Sequence, residues 1–145
     1  MSIETIELWH KRVRPEPTER EFNTQLGCHF EEIGEMLSAI HLTGECSEAI
    51  YWAAVQAIET LAKDLKEGRV KVAALNRKEF LDAIADQVVT GIGVGHCAGM
   101  QTAHAVRRVD TSNWSKFIDG QPVFDANGKI AKPDSYQPPN LEGLY

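Results

Sequence analysis

Cysteine is scarce in this chain, basic residues are outnumbered, and no stretch is long and apolar enough to span a bilayer. Cys28, Cys46 and Cys97 form an odd set without Cys-x-x-Cys spacing. That excludes a disulfide framework and reads as reduced thiols of an intracellular protein. No His-x₃-His pair occurs either, so a zinc site from Cys28, His29, Cys46, His96, Cys97 and His104 has no ligand spacing to rest on. A Cys–His nucleophile is equally unsupported. Lys and Arg number 15 against 21 Asp and Glu, for a net charge of -6. Such a field argues against a nucleic-acid surface and against an anionic membrane surface. Residues 87–106 contain no Asp, Glu, Lys or Arg. Gln87, Thr90, His96, Gln101, Thr102, His104 and four glycines nevertheless make that run a poor membrane span. A helix buried on most sides is the expectation there. Residues 1–9 mix polar and apolar types, so no export signal is expected and the location expected is the cytoplasm of a bacterium or of a phage-infected host.

What is present is helical periodicity. At 145 residues, one domain covering 1–145 is expected, with a core able to stand alone. Residues 1–9 fit a short first helix, ended by the breaker Arg14-Pro15-Glu16-Pro17. Thr18 with Glu21 three residues on is a capping box. From there Phe22, Leu26, Phe30, Ile33, Leu37 and Ile40 keep steps of three and four, predicting a helix over about 18–41. A further helix is predicted over about 45–66, striped by Ile50, Ala54, Ala57 or Ile58, Leu61 and Leu65, with Gly68 as its cap. Another starts near Asn76 or Arg77, with Phe80, Leu81, Ile84, Val88 and Ile92 as its apolar face, and breaks around Gly99. A shorter one spans about 101–109. Asn127-Gly128 between Val123-Phe124 and Lys129-Ile130 signals a hairpin. Pro133, Pro138 and Pro139 imply an extended arm. The fold expected is all-α, a four- to five-helix bundle over about 18–110 with a small C-terminal β-hairpin and arm over about 111–145.

Two helices carry acids one turn apart. Glu31 and Glu35, with Glu32 beside Glu35, lie on the first long helix, and Asp82 and Asp86 lie about fifty residues later. Like charges at that spacing weaken an isolated helix by a few tenths of a kcal/mol, roughly, per pair. Hard oxygen ligands on two helices suit Mg²⁺ or Mn²⁺, and such a site commonly holds and activates a polyphosphate. The competing reading is a solvated face, since the glutamates lie roughly opposite the apolar stripe. Against it, the line through Asp82 and Asp86 continues to Val89, Gly93 and Cys97, turning uncharged and small as a purely solvent-facing line would not. Gly91, Gly93, Gly95 and Gly99 follow no strand and precede no Lys-Ser/Thr, so they form no phosphate loop. Their spacing suggests close helix packing that includes a subunit interface.

Glu-Glu-x-x-Glu on one helix and Leu-Asp-Ala-Ile-Ala-Asp-Gln-Val-Val on another resemble the all-α nucleoside triphosphate pyrophosphohydrolases, the MazG-like superfamily that includes phosphoribosyl-ATP pyrophosphohydrolase. Compact phage and bacterial members are more similar still, through Ser112-Asn113-Trp114-Ser115-Lys116-Phe117, the Asn127-Gly128-Lys129-Ile130 hairpin and Tyr136-Gln137-Pro138-Pro139. The likeness covers about residues 18–141. It departs at Ala83, where the family has an acid three before Asp86; Glu79-x-x-Asp82 fits that spacing one turn earlier. It departs again at Arg108, where compact members carry an acid. The resemblance implies a metal-dependent (d)NTP pyrophosphohydrolase that releases a (d)NMP and pyrophosphate, with purine deoxynucleotides such as dGTP or dATP favoured. Glu31, Glu32, Glu35 and Asp86 would hold Mg²⁺ or Mn²⁺, Asp82 assisting as second ligand or support. A homodimer or homotetramer with shared active sites is also implied. Phosphoribosyl-ATP or dUTP as substrate on the same fold, and a non-catalytic helical assembly protein, remain the alternatives.

Asn113 and Lys116 are candidates for phosphate or sugar binding, against the plainer reading of a turn Asn and a surface Lys. Arg107, Arg108, Lys129 and Lys132 are weaker candidates. Gln25 and His29 continue the helix line of Glu32 and lie where a base or sugar would sit. Trp9, Trp52 and Trp114 are read first as core or interface residues and only then as stacking platforms.

Overall fold

The computed structural model describes residues 3–45, 48–126 and 128–145. Cys46 and Asn127, the latter half of the expected Asn-Gly turn, lie outside them. Among the described residues five helices form: α1 (Ile3–Val13), α2 (Glu19–Ser38), α3 (Glu48–Glu67), α4 (Arg77–Cys97) and α5 (Thr102–Trp114). A two-stranded antiparallel hairpin follows, β1 (Phe117–Ile118) and β2 (Gln121–Pro122). The expected all-α bundle with a small C-terminal hairpin is therefore what forms. The chain divides into two compact units, Pro17–Leu75 and the remainder. No helix among the described residues is long and apolar enough to cross a membrane.

Pro17–Leu75 is a helical hairpin. Thr18 caps α2 with the reciprocal bonds of a capping box to Glu21, as its sequence predicts. Which faces meet is not what the periodicity predicts. The buried line of α2 is Asn23, Gly27 and Gly34, and Phe22, Leu26, Phe30, Ile33 and Leu37 are only half-covered. On α3 the buried residues are Val55, Ala62 and Leu65, whereas Ile50 and Leu61 of the expected stripe are exposed. The physical reason is size. A Cβ added to Gly27 would sit 2.7 Å from the Ala62 carbonyl oxygen and 3.1 Å from the Lys66 nitrogen, so small residues let the two backbones touch and the larger side chains are pushed to the flanks.

Each helix then closes the other's C-terminal end. The last carbonyls of a helix have no intrahelical donor. The Arg20 guanidinium of α2 donates to the Leu65 carbonyl at 3.1 Å and to that of Lys66. The Tyr51 hydroxyl of α3 donates to the carbonyls of Leu37 and Ile40. Gly68 leaves α3 with φ +76°, the left-handed cap its sequence signals. Asn23, 3% exposed, accepts from the Val72 N–H at 2.9 Å and donates to the Glu19 carbonyl at 2.9 Å, which ties the segment after α3 to α2.

In the second unit α5 is the element the others attach to. Trp9 donates its indole N–H to the Asn113 carbonyl at 2.9 Å, and Thr5 donates to Asp110 at 2.7 Å; the steps 5 to 9 and 110 to 113 lay α1 along α5. The C-terminal arm runs the opposite way. Ser112 donates to the Gln137 carbonyl, Arg108 to those of Asn140 and Glu142, and the Gln101 N–H to that of Leu144. Helix α5 continues five residues past the expected end near Val109, because the hydroxyls of Ser112 and Ser115 bond the arm and their own helix rather than opening a loop. The hairpin turns at Asp119 and Gly120, both at positive φ, the two-residue geometry that Asp-Gly favours. Of the expected Val123–Ile130 hairpin the described residues form one antiparallel bridge, between Phe124 and Ile130.

Helix α4 departs furthest from expectation. It begins at the Asn76 cap and ends before Gly99, as its sequence indicates. Expected to be buried on most sides, it has no buried residue. Leu81 is 70% exposed, Val89 68% and Val94 62%. Its packing within the unit is against α5, where Gly95 meets Thr102, so the rest of its uncharged surface has no cover there.

Gly27→Ala tests the helix contact. Alanine gains roughly 1 kcal/mol of helix propensity, but overpacking costs about 1–3 kcal/mol and should dominate because backbone atoms are in the way. Thermal unfolding should shift down by several degrees; an unchanged or higher midpoint would mean that the helices have room to spare.

Candidate functional site

The three glutamates of α2 do not behave alike. Glu31 borders the buried line and is half-buried; Lys66, in the last turn of α3, places its ammonium 2.5 Å from Glu31 Oε1. Glu32 and Glu35 are exposed, and no ion pair holds them among the described residues. Sequence reasoning missed Lys66: its helix was read for an apolar stripe, and a basic residue in the last turn looks like an ordinary partner of the helix dipole. The signal available was Gly27, which demands close contact at that level and so brings Lys66 beside the residue one turn on.

Asp82 and Asp86 lie on α4, in the other unit, both exposed. Their carboxylates likewise make no ion pair among the described residues. The five expected acids thus divide three and two between the units. Among the described residues no three His, Cys, Asp or Glu side chains converge as a metal-binding group. The donors are hard oxygens, which suits Mg²⁺ or Mn²⁺. Gln25 is exposed and His29 half-buried on α2, with the His29 ring 6.5 Å from that of Phe30.

Asn113 and Lys116 are brought together. Lys116 Nζ donates to Asn113 Oδ1 at 2.8 Å. Its ammonium lies 5.8 Å from the centroids of the Trp9 and Tyr136 rings. Burial lowers the Lys116 pKa, Lys132 and Lys129 lower it further, and Tyr136 opposes them. Arg108, which stands where compact members of the resembled family carry an acid, spends its guanidinium on the arm. A buried acid does exist two positions on, in Asp110 at 4% exposure, and sequence reasoning passed over it. Thr5 and Trp9 on one helix and Asp110 and Trp114 on another each sit one turn apart, the only hint that these faces meet. Trp9 is a buried core residue, Trp114 stacks 5.2 Å from Phe117, and Trp52 is exposed beside Tyr51.

Compared with known proteins, the chain matches no family model, no curated protein and no solved structure.

The Glu31–Lys66 contact is partly open to solvent, so screening limits its worth to about 0–1 kcal/mol. A double-mutant cycle over Glu31→Gln and Lys66→Met, read from urea unfolding, should return a coupling in that range with the pair favourable. A zero or repulsive coupling would show that the two groups do not meet in solution.

Proposed function

We propose that the protein is a metal-dependent (d)NTP pyrophosphohydrolase of the cytoplasm, cutting between the α and β phosphates to give a (d)NMP and pyrophosphate. The observation that carries the reading is that two helices each present acids one turn apart, Glu32 and Glu35 on α2 and Asp82 and Asp86 on α4, exposed and in no ion pair among the described residues. The motif resemblance gives that pattern its chemistry. Glu31, Glu32, Glu35 and Asp86 would hold Mg²⁺ or Mn²⁺, with Asp82 assisting. Bound ions of this kind neutralise phosphate charge and acidify a coordinated water. A glutamate of α2, Glu31 in the first instance, accepts the proton of the attacking water; Lys66 occupies one of its oxygens and orients the carboxylate. Gln25 and His29 face the base or sugar, with a purine deoxynucleotide favoured. Asn113 and Lys116 would bind phosphate or sugar.

A homodimer or homotetramer with shared sites belongs to the same proposal. A 21-residue helix without a buried position leaves an apolar area of the kind that marks an interface. A second copy is the occupant that supplies a matching uncharged surface. Val89→Glu should then convert the assembly to smaller species by size-exclusion chromatography with light scattering. An unchanged mass, or a monomer in the wild type, removes the α4 interface.

Incubation with each (d)NTP and Mg²⁺ or Mn²⁺, with products resolved by ion exchange, decides the reaction. Monophosphate with pyrophosphate is expected. Diphosphate with orthophosphate would overturn the cleavage position, and turnover of phosphoribosyl-ATP or dUTP alone would change the substrate. Glu35→Gln should lower turnover by at least about a hundredfold with the circular dichroism spectrum unchanged. Either cation should raise the melting temperature of the wild type as its concentration rises; a flat response and no turnover favour a non-catalytic assembly protein.

A further inference from the structure

On a chain of net charge -6, positive charge collects round one aromatic ring. The Lys116 ammonium stands 5.8 Å from the Tyr136 centroid and the Lys132 ammonium 5.2 Å from the same centroid. Lys129, exposed three residues before Lys132, adds a further positive charge to the same arm.

A cation over a ring is worth about 0.5–1 kcal/mol at a site open to water, which accounts for each lysine separately. It does not account for two ammonium groups over one ring, because like charges sharing a site oppose one another. An anion among them reverses the sign of that interaction. The surroundings are also held in place. Asn113 fixes the Lys116 head at 2.8 Å, and the Ser115 hydroxyl accepts from the Gln137 N–H at 2.8 Å, one residue from Tyr136. Trp9, the second ring over which Lys116 lies, is itself anchored to the Asn113 carbonyl. The half-buried lysine is therefore a fixed point charge, and Lys129 and Lys132 are exposed arms beside it.

We propose that Lys116 and Lys132, both over the Tyr136 ring, form with Lys129 of the same arm a phosphate-binding site that takes a phosphate oxyanion without a divalent ion. The oxyanion comes either from the triphosphate of a nucleotide or from free pyrophosphate. The site rests on the hydrolase reading only for the identity of the nucleotide; the lysines alone carry the anion.

The test is calorimetric titration of inorganic pyrophosphate into the protein in EDTA at low salt, for the wild type, Lys116→Gln and Lys132→Gln. Lys132 is exposed, so its variant keeps the test valid if Lys116→Gln, which packs against Trp9, fails to fold. The wild type should bind, more weakly as salt rises, and each folded variant should bind roughly tenfold more weakly, the loss expected for one charged hydrogen bond. No binding by the wild type, or equal binding by wild type and Lys132→Gln, overturns the site. Under turnover with Mg²⁺, a raised KM at unchanged kcat in Lys132→Gln assigns the site to the nucleotide. An unchanged KM with weaker inhibition by pyrophosphate assigns it to the released product. Pyrophosphate binding in EDTA with no hydrolysis of any nucleotide upholds this site while removing the hydrolase reading.

Discussion

Two helix backbones in contact at Gly27 set the terms for the whole of the Pro17–Leu75 unit. Once α2 and α3 touch there, Arg20 is within reach of the end of α3 and Tyr51 of the end of α2, so each helix supplies the donors the other lacks. The same contact brings Lys66 beside Glu31. It also displaces the large apolar residues of α2 to the side, half-covered. One small residue therefore decides the capping of both helices, the partner of a candidate site carboxylate and the direction in which the apolar stripe faces.

The other unit solves its packing through a hub. Helix α5 receives α1 on one side through Trp9 and Thr5 and the arm on another through Arg108 and Ser112. That leaves α4 attached chiefly near Gly95 and Thr102. The acids Asp82 and Asp86 sit four and three turns, roughly, before that attachment, on a helix that presents polar, apolar and glycine positions alike to its surroundings.

Element types and most ends were legible in the sequence because their causes are local. Thr18 with Glu21, Asn76, Gly68 and Gly99 are chemical stop and start signals, and each acts where it stands. The faces were not legible. Periodicity counts large apolar residues, whereas α2 turns Asn23, Gly27 and Gly34 inward and α3 meets them with Val55, Ala62 and Leu65, of which only Leu65 belongs to the expected stripe. The hairpin was sought at Asn127-Gly128, although Asp119-Gly120 carries an equivalent turn signal three residues past Lys116 and is the one flanked by strands. The candidate acids could be named from their one-turn spacing. Their partners could not: Lys66 lies thirty-five residues from Glu31, and Tyr136 twenty from Lys116, distances that only the fold closes.

The arm along α5 is recognised almost wholly through its main chain. Arg108, Ser112 and Gln101 all address carbonyl oxygens, of Asn140, Glu142, Gln137, Gly143 and Leu144, and apart from buried Leu144 the helix reads little of the side chains in between. Contacts of that kind register length rather than letters. Exposed side chains such as Leu141 and Glu142 can then change so long as the number of residues is kept, Gly143 being held by its φ of +75°, whereas losing or gaining one residue would move every carbonyl out of step with its donor.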